Sequence, residues 1–473
     1  MSAKDEEYVS TTMLAKSIQL KGSDLVELLH DKGWTKKEGN QRFLTDKGIE
    51  VGGKYKSNDK GDKWAVWPLP IVDTTAFKTE IIGTMKQVQR KFKLPGVDDL
   101  NKDQDRVLRL PEDGQFLIVG GPGTGKSVVA LLRTMKYHKN EDYAFLTFNN
   151  VLLSATKQLV DFKLNSFTLD KWFNAEYKNI FNEPLYKYDV NNNEYQKPNY
   201  LEIIKRFESK EVVHQSFHII IDEGQDKPTK YYETLMYFGI ENFFIVADQN
   251  QQITEDNSSR QELTDLLGLE VEDVIELKEN YRNSHPIGLL SNSFFTDPSS
   301  PPPNLPSKSK PSLGTPILYE YTSYQDCVKL ILREADRDNR NLIGVVVAND
   351  DLRDVYVKSL EITEINLDNP RPIISTYSSK DKKVPNINFA YSGVVVLNDK
   401  SIKGLEFDIV FIIIDGFKIY NNDMDSMKKR LYVMSSRAIK KLILLKSNKD
   451  NDGVEHILPD DENILIRKRL NNG

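Results

Sequence analysis

Cysteine is almost absent: Cys327 is the single one in 473 residues, so no internal disulfide can form. That suits a reducing compartment. Cys327 falls in the helical pattern Tyr324-Gln325-Asp326-Cys327-Val328-Lys329-Leu330, where a small buried residue is expected rather than a reactive thiol. No apolar run approaches the length of a bilayer span, and Met1 to Glu7 is polar and acidic, without the apolar stretch of a secretory leader. No membrane association and a cytoplasmic location are therefore expected. A basic excess is also missing: 64 Lys and Arg stand against 70 Asp and Glu, a net charge of −6. This excludes a polycationic coat over the whole chain. It leaves room for a local basic groove, because phosphate binding depends on where the charges lie. Histidine is scarce, at 6. His214 and His218 have a metal-like spacing if helical, but His218 enters an apolar strand pattern with no cysteine or further histidine nearby. No metal is expected there.

What is present begins with a glycine-rich loop. Gly120-Gly121-Pro122-Gly123-Thr124-Gly125-Lys126-Ser127 follows the apolar run Phe116-Leu117-Ile118-Val119 and precedes Val128-Val129-Ala130-Leu131-Leu132. Strand, glycine loop, helix is the order a P-loop requires. Backbone N–H groups of such a loop and the helix N-terminus converge on an anion. Lys126 adds a charge that reaches the β/γ-phosphates, and the Ser127 hydroxyl can ligate Mg²⁺. Gly121, Pro122, Gly123, Thr124, Gly125, Lys126 and Ser127 are thus the expected ATP cradle.

A second signal is Ile219-Ile220-Ile221-Asp222-Glu223-Gly224-Gln225-Asp226, an apolar strand ending in paired carboxylates. In a P-loop protein the first acid after such a strand orders Mg²⁺, and the second is placed to activate the attacking water. Asp222 is the expected metal residue and Glu223 the expected general base.

Short β-rich runs alternate with helical stretches on either side. One series is Phe116–Val119, Tyr143–Phe148, His218–Asp222 and Phe243–Ala247. The other is Ile317–Tyr319, Leu342–Val347, Gly393–Leu397, Ile409–Ile414 and Leu442–Leu445. Such alternation predicts parallel sheets covered on both faces, hence two α/β domains. The expected boundaries are 73–275 for the first, with a small insertion at about 150–215, and 276–473 for the second. Pro298 to Pro311 reads as an extended surface loop of the second domain. Residues 1–72 read as a separate unit of three short elements and a β-ribbon from Tyr55 to Trp67. That order resembles the winged-helix modules of phage-type antirepressors. Lys54, Lys56, Lys60 and Lys63 on the ribbon either meet phosphate or protect a solvated strand edge.

From the P-loop and D-E-x-Q-D onward, the chain resembles superfamily 1 helicases of the UvrD/Rep/PcrA type, over roughly Asn101 to Lys441. The resemblance implies two RecA-like domains that share one ATP. Leu100-Asn101-Lys102-Asp103-Gln104 resembles the Q motif, which implies that Gln104 reads adenine. Phe145 to Asn150 resembles motif Ia, implying contacts to a single strand from Phe148 and Asn150. Ser166-Phe167 partly resembles motif Ib, implying the same for Phe167. Val246-Ala247-Asp248-Gln249-Asn250-Gln251 resembles motif III, with Asp248 and Gln251 as γ-phosphate sensors. Glu279-Asn280-Tyr281-Arg282 matches motif IV, implying Arg282 as an arginine finger and Tyr281 as a base or adenine stacker. Lys403-Gly404-Leu405-Glu406-Phe407 matches motif V, implying Glu406 on the ribose and Lys403 near the strand. Ser436-Arg437-Ala438 resembles motif VI, with Arg437 as a second γ-phosphate arginine.

The chain departs from that pattern at Val151, Thr168, Ala247 and Lys400. It also lacks the aromatic cluster after motif III, where Thr254-Glu255-Asp256-Asn257 stands instead. The interval from Val347 to Val394 is too short for the large second-domain insertion of big family members. A compact ATP- and Mg²⁺-dependent translocase on single-stranded DNA is the expected function, with RNA left open as the track. The N-terminal unit would contact a protein partner or duplex DNA. The alternative is an ATPase switch that senses a partner with little movement. A P-loop transferase acting on a small substrate would leave the Asn280-Tyr281-Arg282 and Lys403 to Glu406 blocks without a role.

Overall fold

The computed structural model describes residues 8–17, 22–39, 41–57, 63–74, 77, 88–90, 92–138, 142–160, 163–185, 198–208, 215–248, 257–296, 302–381, 385–449 and 453–470. The chain divides into two compact units: Met1–Val88 with Asn369–Ile373, and Gln89–Asp368 with Ile374–Gly473. Among the described residues, no helix is long and apolar enough to cross a membrane.

The first unit runs β1 (Tyr8–Ser10), helices Thr11–Ser17 and Gly22–Asp31, β2 (Thr35–Glu38), β3 (Gln41–Leu44), helix Asp46–Glu50, β4 (Lys54–Ser57) and β5 (Lys63–Pro68). The ribbon expected near Tyr55 is present as the antiparallel β4–β5 pair. Two features differ from the sequence reading. Residues 42–49, read from the sequence as the third of three helix-like elements before the ribbon, are a strand followed by a helix, because Gln41–Leu44 pairs antiparallel with Thr35–Glu38. The Thr45 hydroxyl then accepts from the Gly48 N–H at 3.1 Å and starts the short helix. Tyr8–Ser10 also adds a third strand beside β5. Leu14, Leu25, Leu29, Trp34, Trp67 and Phe77 form the core. The Trp67 indole N–H is satisfied by the Thr11 hydroxyl at 3.0 Å.

The second unit holds two wholly parallel sheets. The first contains β6 (Gln115–Gly120), β7 (Tyr143–Thr147), β8 (Ser166–Thr168), β9 (Gln215–Asp222), β10 (Ile240–Ala247) and β11 (Ile275–Leu277) in the order β11-β6-β10-β9-β7-β8. The second contains β12 (Ile317–Tyr321), β13 (Leu342–Val347), β14 (Ile374–Thr376), β15 (Gly393–Asn398), β16 (Phe407–Ile413), β17 (Ala438–Ser447) and β18 (Ile466–Arg469) in the order β14-β15-β13-β16-β17-β12-β18.

Continuous apolar strands follow from burial on both faces, since successive side chains point to opposite sides. In the first sheet Leu117, Ile219, Ile221 and Ile245 enter one cluster. Their neighbours Ile118, Ile220, Phe244 and Val246 enter the other. The second sheet repeats this, with Val395, Val410 and Leu444 on one side and Val396, Phe411 and Ile443 on the other.

One further stretch sits differently from its sequence reading. The segment expected as an insertion supplies strand β8, and its Trp172, Phe173, Tyr177, Ile203 and Phe207 fill the first core. The polar run Asp189 to Glu194 lies outside the described residues. The proline-rich stretch, over its described residues 302–311, is an irregular and mostly exposed loop anchored at a few points. Pro303 and Pro306 are buried, Asn304 forms a parallel bridge with Glu279 through its N–H, which donates to the Lys278 carbonyl at 2.8 Å, and Pro303 packs on Gly121 of the glycine loop.

Candidate functional site

Parallel α/β sheets present their loops at the carboxyl ends of the strands, where ligands bind. Gly120 ends β6, Asp222 ends β9, and Asp248 directly follows β10. The glycine loop needs glycine at two positions. Gly123 has φ +76° and Gly125 φ +88°, and a Cβ at either would come within 2.4 Å of Asn280 Oδ1 or Gln104 Nε2 respectively. The Thr124 hydroxyl donates to the Gly121 carbonyl at 2.8 Å and tightens the turn. Lys126 opens the helix Lys126–Tyr137, and its ammonium donates to the Gly120 and Gly121 carbonyls at 2.6 and 2.9 Å. Asp248 stands 3.6 Å away. Burial pushes the Lys126 pKa down, against the pull of Asp248, Glu223 and Asp222.

Asp222 and Glu223 are both buried, and their environments drive them apart. Burial and then the Glu223 charge push Asp222 up to about 6, with the Ser127 hydroxyl and Lys126 opposing. Burial also disfavours the Glu223 carboxylate, but Lys403, Lys126 and Arg437 outweigh it and hold the group down at about 2. Glu223 is therefore a carboxylate at neutral pH. It has φ +64°, a left-handed conformation that a non-glycine residue adopts at a cost. Its N–H donates to Asp222 Oδ1 at 3.1 Å, and its Oε2 accepts from Gln225 Nε2 at 2.7 Å. Gln225 Oε1 in turn accepts from the Asp248 N–H at 3.0 Å, which joins the ends of β9 and β10. Asp222 Oδ2 is buried with no hydrogen-bond partner. A bare carboxylate oxygen beside a serine hydroxyl fits a hard, oxygen-seeking cation such as Mg²⁺.

The other wall comes from three more segments. Tyr281 and Arg282 follow β11, and the Tyr281 N–H donates to the Gly123 carbonyl at 2.8 Å. Asn280 Oδ1 accepts from the N–H groups of Arg282 and Asn283 at 3.1 Å each and shapes that turn. Glu406 precedes β16, and Arg437 precedes β17. Arg437 is 1% exposed, and its guanidinium donates to the Val433 carbonyl at 2.9 Å and to the Ser436 hydroxyl at 3.2 Å. Burial, then the neighbouring Arg282 charge, lowers its pKa to about 10, so it remains a cation at neutral pH. A cavity of about 290 Å³ lies among these groups, lined by Gln104, Pro122, Gly123, Gly125, Lys126, Ser127, Glu223, Tyr281, Arg282, Glu406 and Arg437.

Not every expected role fits the position found. Gln104 lines the cavity, but its amide is engaged at both ends: Oε1 accepts from the Asn101 N–H at 3.1 Å and Nε2 donates to the Thr124 carbonyl at 3.0 Å. Reading adenine would require those bonds to exchange. Tyr281 stands on the cavity wall, where its hydroxyl accepts from Asn101 Nδ2 at 2.6 Å.

Lys403, expected beside the strand, is 0% exposed and cannot touch one in this conformation. Its ammonium is 2.5 Å from Asp226 Oδ2 and 3.5 Å from Glu223 Oε2, because two buried carboxylates require a cation. Phe167 is half-buried on the edge strand β8 and packs against the core of the first sheet. Phe148 is half-buried. Asn150 is exposed, and its Nδ2 donates to the Tyr377 hydroxyl at 3.0 Å. Gln251 and His214 lie outside the described residues. His218 accompanies Asp113 at 3.0 Å and the His138 ring at 4.5 Å between centroids. Cys327 is buried, which pushes its thiol well up and away from reactivity.

Asp226, which received no role from the sequence, belongs to the charge network through Lys403. The only sequence signal for it was its place in the D-E-G-Q-D run.

No family model matches the chain. No curated protein matches it either. Among solved structures, the C-terminal domain of a possible DNA helicase from Lactobacillus plantarum WCFS1 aligns with 40% of this chain and 98% of its own, at 15% identity and a TM-score of 0.28. At that score the likeness bears on neither fold nor activity.

Proposed function

We propose that this chain is a compact superfamily 1 motor: two RecA-like domains that hydrolyse ATP with Mg²⁺ and move on single-stranded DNA. The observation that carries the proposal is the cavity itself. The glycine loop and Glu223 come from the first sheet, while Glu406 and Arg437 come from the second, and all line one space of about 290 Å³. A nucleotide there would touch both sheets, so its γ-phosphate state would govern how they close.

Each residue has a definite task in this reading. Lys126 exchanges its carbonyl partners for the β- and γ-phosphates. Ser127 and Asp222 hold Mg²⁺, which when bound would neutralise charge on the phosphates. Glu223, a carboxylate at neutral pH, accepts the proton of the attacking water. Arg282 and Arg437 offset charge on the equatorial oxygens, and one such arginine is worth about 10³–10⁵ in rate. Glu406 takes the ribose hydroxyls. Residues 1–72 act as a winged-helix-like module that recruits a protein partner or duplex DNA.

The test is ATP turnover with and without single-stranded DNA, followed by strand displacement on 5′- and 3′-tailed duplexes. Strong stimulation by the single strand is expected. Turnover that stays flat with DNA and RNA of every form would leave the partner-sensing switch as the better reading.

A further inference from the structure

Lys403 is the most deeply buried cation of the network, and three independent contacts meet at it. Its ammonium lies 2.5 Å from Asp226 Oδ2 and 3.5 Å from Glu223 Oε2. The same nitrogen sits 5.6 Å from the centroid of the Phe148 ring, within range of a cation–π contact. Phe148 belongs to the segment leaving β7, and that segment is docked on the loop that carries Lys403. Asn149 Nδ2 donates to the Lys400 carbonyl at 3.5 Å. Gly404, at φ +80°, lies so close to Leu152 that a Cβ there would come 2.7 Å from its methyl carbons.

We propose that Lys403 is a positioning residue that couples strand occupancy at Phe148 to the placement of Glu223. This rests on the motor reading above. In that reading a base stacks on the half-buried face of Phe148. The fully buried ammonium lies against that ring, so a movement of the ring is passed to it. The ammonium is shared unequally between two carboxylates, so a small displacement changes which one it holds. A shift toward Asp226 frees Glu223 to orient water; a shift toward Glu223 restrains it. Strand binding therefore sets hydrolysis through one buried charge. The plainer alternative is that Lys403 only neutralises two buried acids. In that case its loss would change stability and overall turnover, but not the response to the strand.

The experiment reads the ratio of kcat with saturating oligothymidylate to kcat without it. Lys403→Met alone leaves the buried Asp226 without the cation 2.5 Å from it and threatens the fold. The paired variant Lys403→Met/Asp226→Asn removes one charge of each sign and is the main probe. Its ratio is expected to fall about fivefold or more, the range of a typical coupling between sites. Phe148→Leu is expected to lower the ratio as well, and adding it to the paired variant should lower it no further. A folded paired variant with the wild-type ratio overturns the proposal, and so do losses that simply multiply. If the paired variant does not melt cooperatively, Lys403→Arg replaces it: the wider fork keeps the charge but disturbs the ring contact, so an unchanged ratio again overturns the coupling. A wild-type enzyme that no strand stimulates overturns the motor reading itself, an outcome visible before any variant is made.

Discussion

Arg282 and Glu406 meet directly, with Arg282 Nε donating to Glu406 Oε2 at 2.9 Å. The finger and the residue expected on the ribose thus satisfy each other, 124 positions apart in the chain. Arg282 Nη1 is buried with no hydrogen-bond partner, which leaves a donor available on the cavity side of the pair. Arg282→Ala should lower kcat for ATP by about 10³–10⁵. Its KM should move far less, because the charge it offsets grows mainly in the transition state. Arg282→Lys should recover little, since an ammonium cannot reproduce the fork. Steady-state kinetics on the three proteins, with melting curves to show intact folds, decide it.

Glu223 and Lys126 should separate chemistry from binding. Glu223→Gln keeps the shape but cannot accept a proton, so kcat should drop by about 10²–10⁴ while nucleotide still binds. Lys126→Ala removes the cation of the cradle, and both turnover and binding should be lost. A fluorescent ATP analogue measures binding beside the rate assay. A Glu223→Gln protein that turns over at the wild-type rate would remove Glu223 from the chemistry.

What was legible in the sequence was local. The glycine loop and the D-E pair declare themselves because strand, turn and helix are contiguous there. The long strands show as apolar runs because both faces are buried. The short edge strands Ser166–Thr168 and Ile466–Arg469 were invisible, since three or four residues covered on one side carry no pattern. Tyr8–Ser10 is a strand only through its pairing with Val66 to Pro68 far along the chain. Lys403 is the sharpest case. Its motif resemblance places it near the single strand, whereas its burial depends on Asp226, 177 positions away. No local window contains both.

Gly125 tests whether the cradle shape depends on backbone freedom. It sits at φ +88°, and an added Cβ would come 2.4 Å from Gln104 Nε2. Gly125→Ala should therefore both strain the loop and break the Gln104 bond to the Thr124 carbonyl. A cost of about 1–2 kcal/mol is expected from the left-handed conformation alone. The KM for ATP should rise at least tenfold. Gly33→Ala has the same sign of φ but nothing within 4 Å of the new Cβ. It should cost similar stability and leave the KM unchanged, which separates strain from lost nucleotide binding.

His138 sets an acid limit on stability. Its ring stacks on Tyr143 at 5.4 Å and lies 4.5 Å from the His218 ring, between centroids. Asp142 is 3.8 Å from its Nδ1, and Asp113 holds His218 from the other side at 3.0 Å. Burial lowers the His138 pKa to about 4, and the His218 and Arg133 charges add to that against the opposing pull of Asp142 and Asp113. The unfolded chain would protonate this histidine near pH 6.5 and the folded chain only near 4. Between those values the unfolded state binds more protons, so stability is complete above about pH 6.5 and falls as pH drops toward 4. The loss should be on the order of 1–2 kcal/mol once solvent screening is allowed for. Chemical denaturation of the wild type at pH 7 and pH 5 measures it. His138→Phe keeps the stacking and removes the titration, so its two denaturation curves should lie closer together than those of the wild type. Equal pH sensitivity in both proteins would assign the acid limit to other groups.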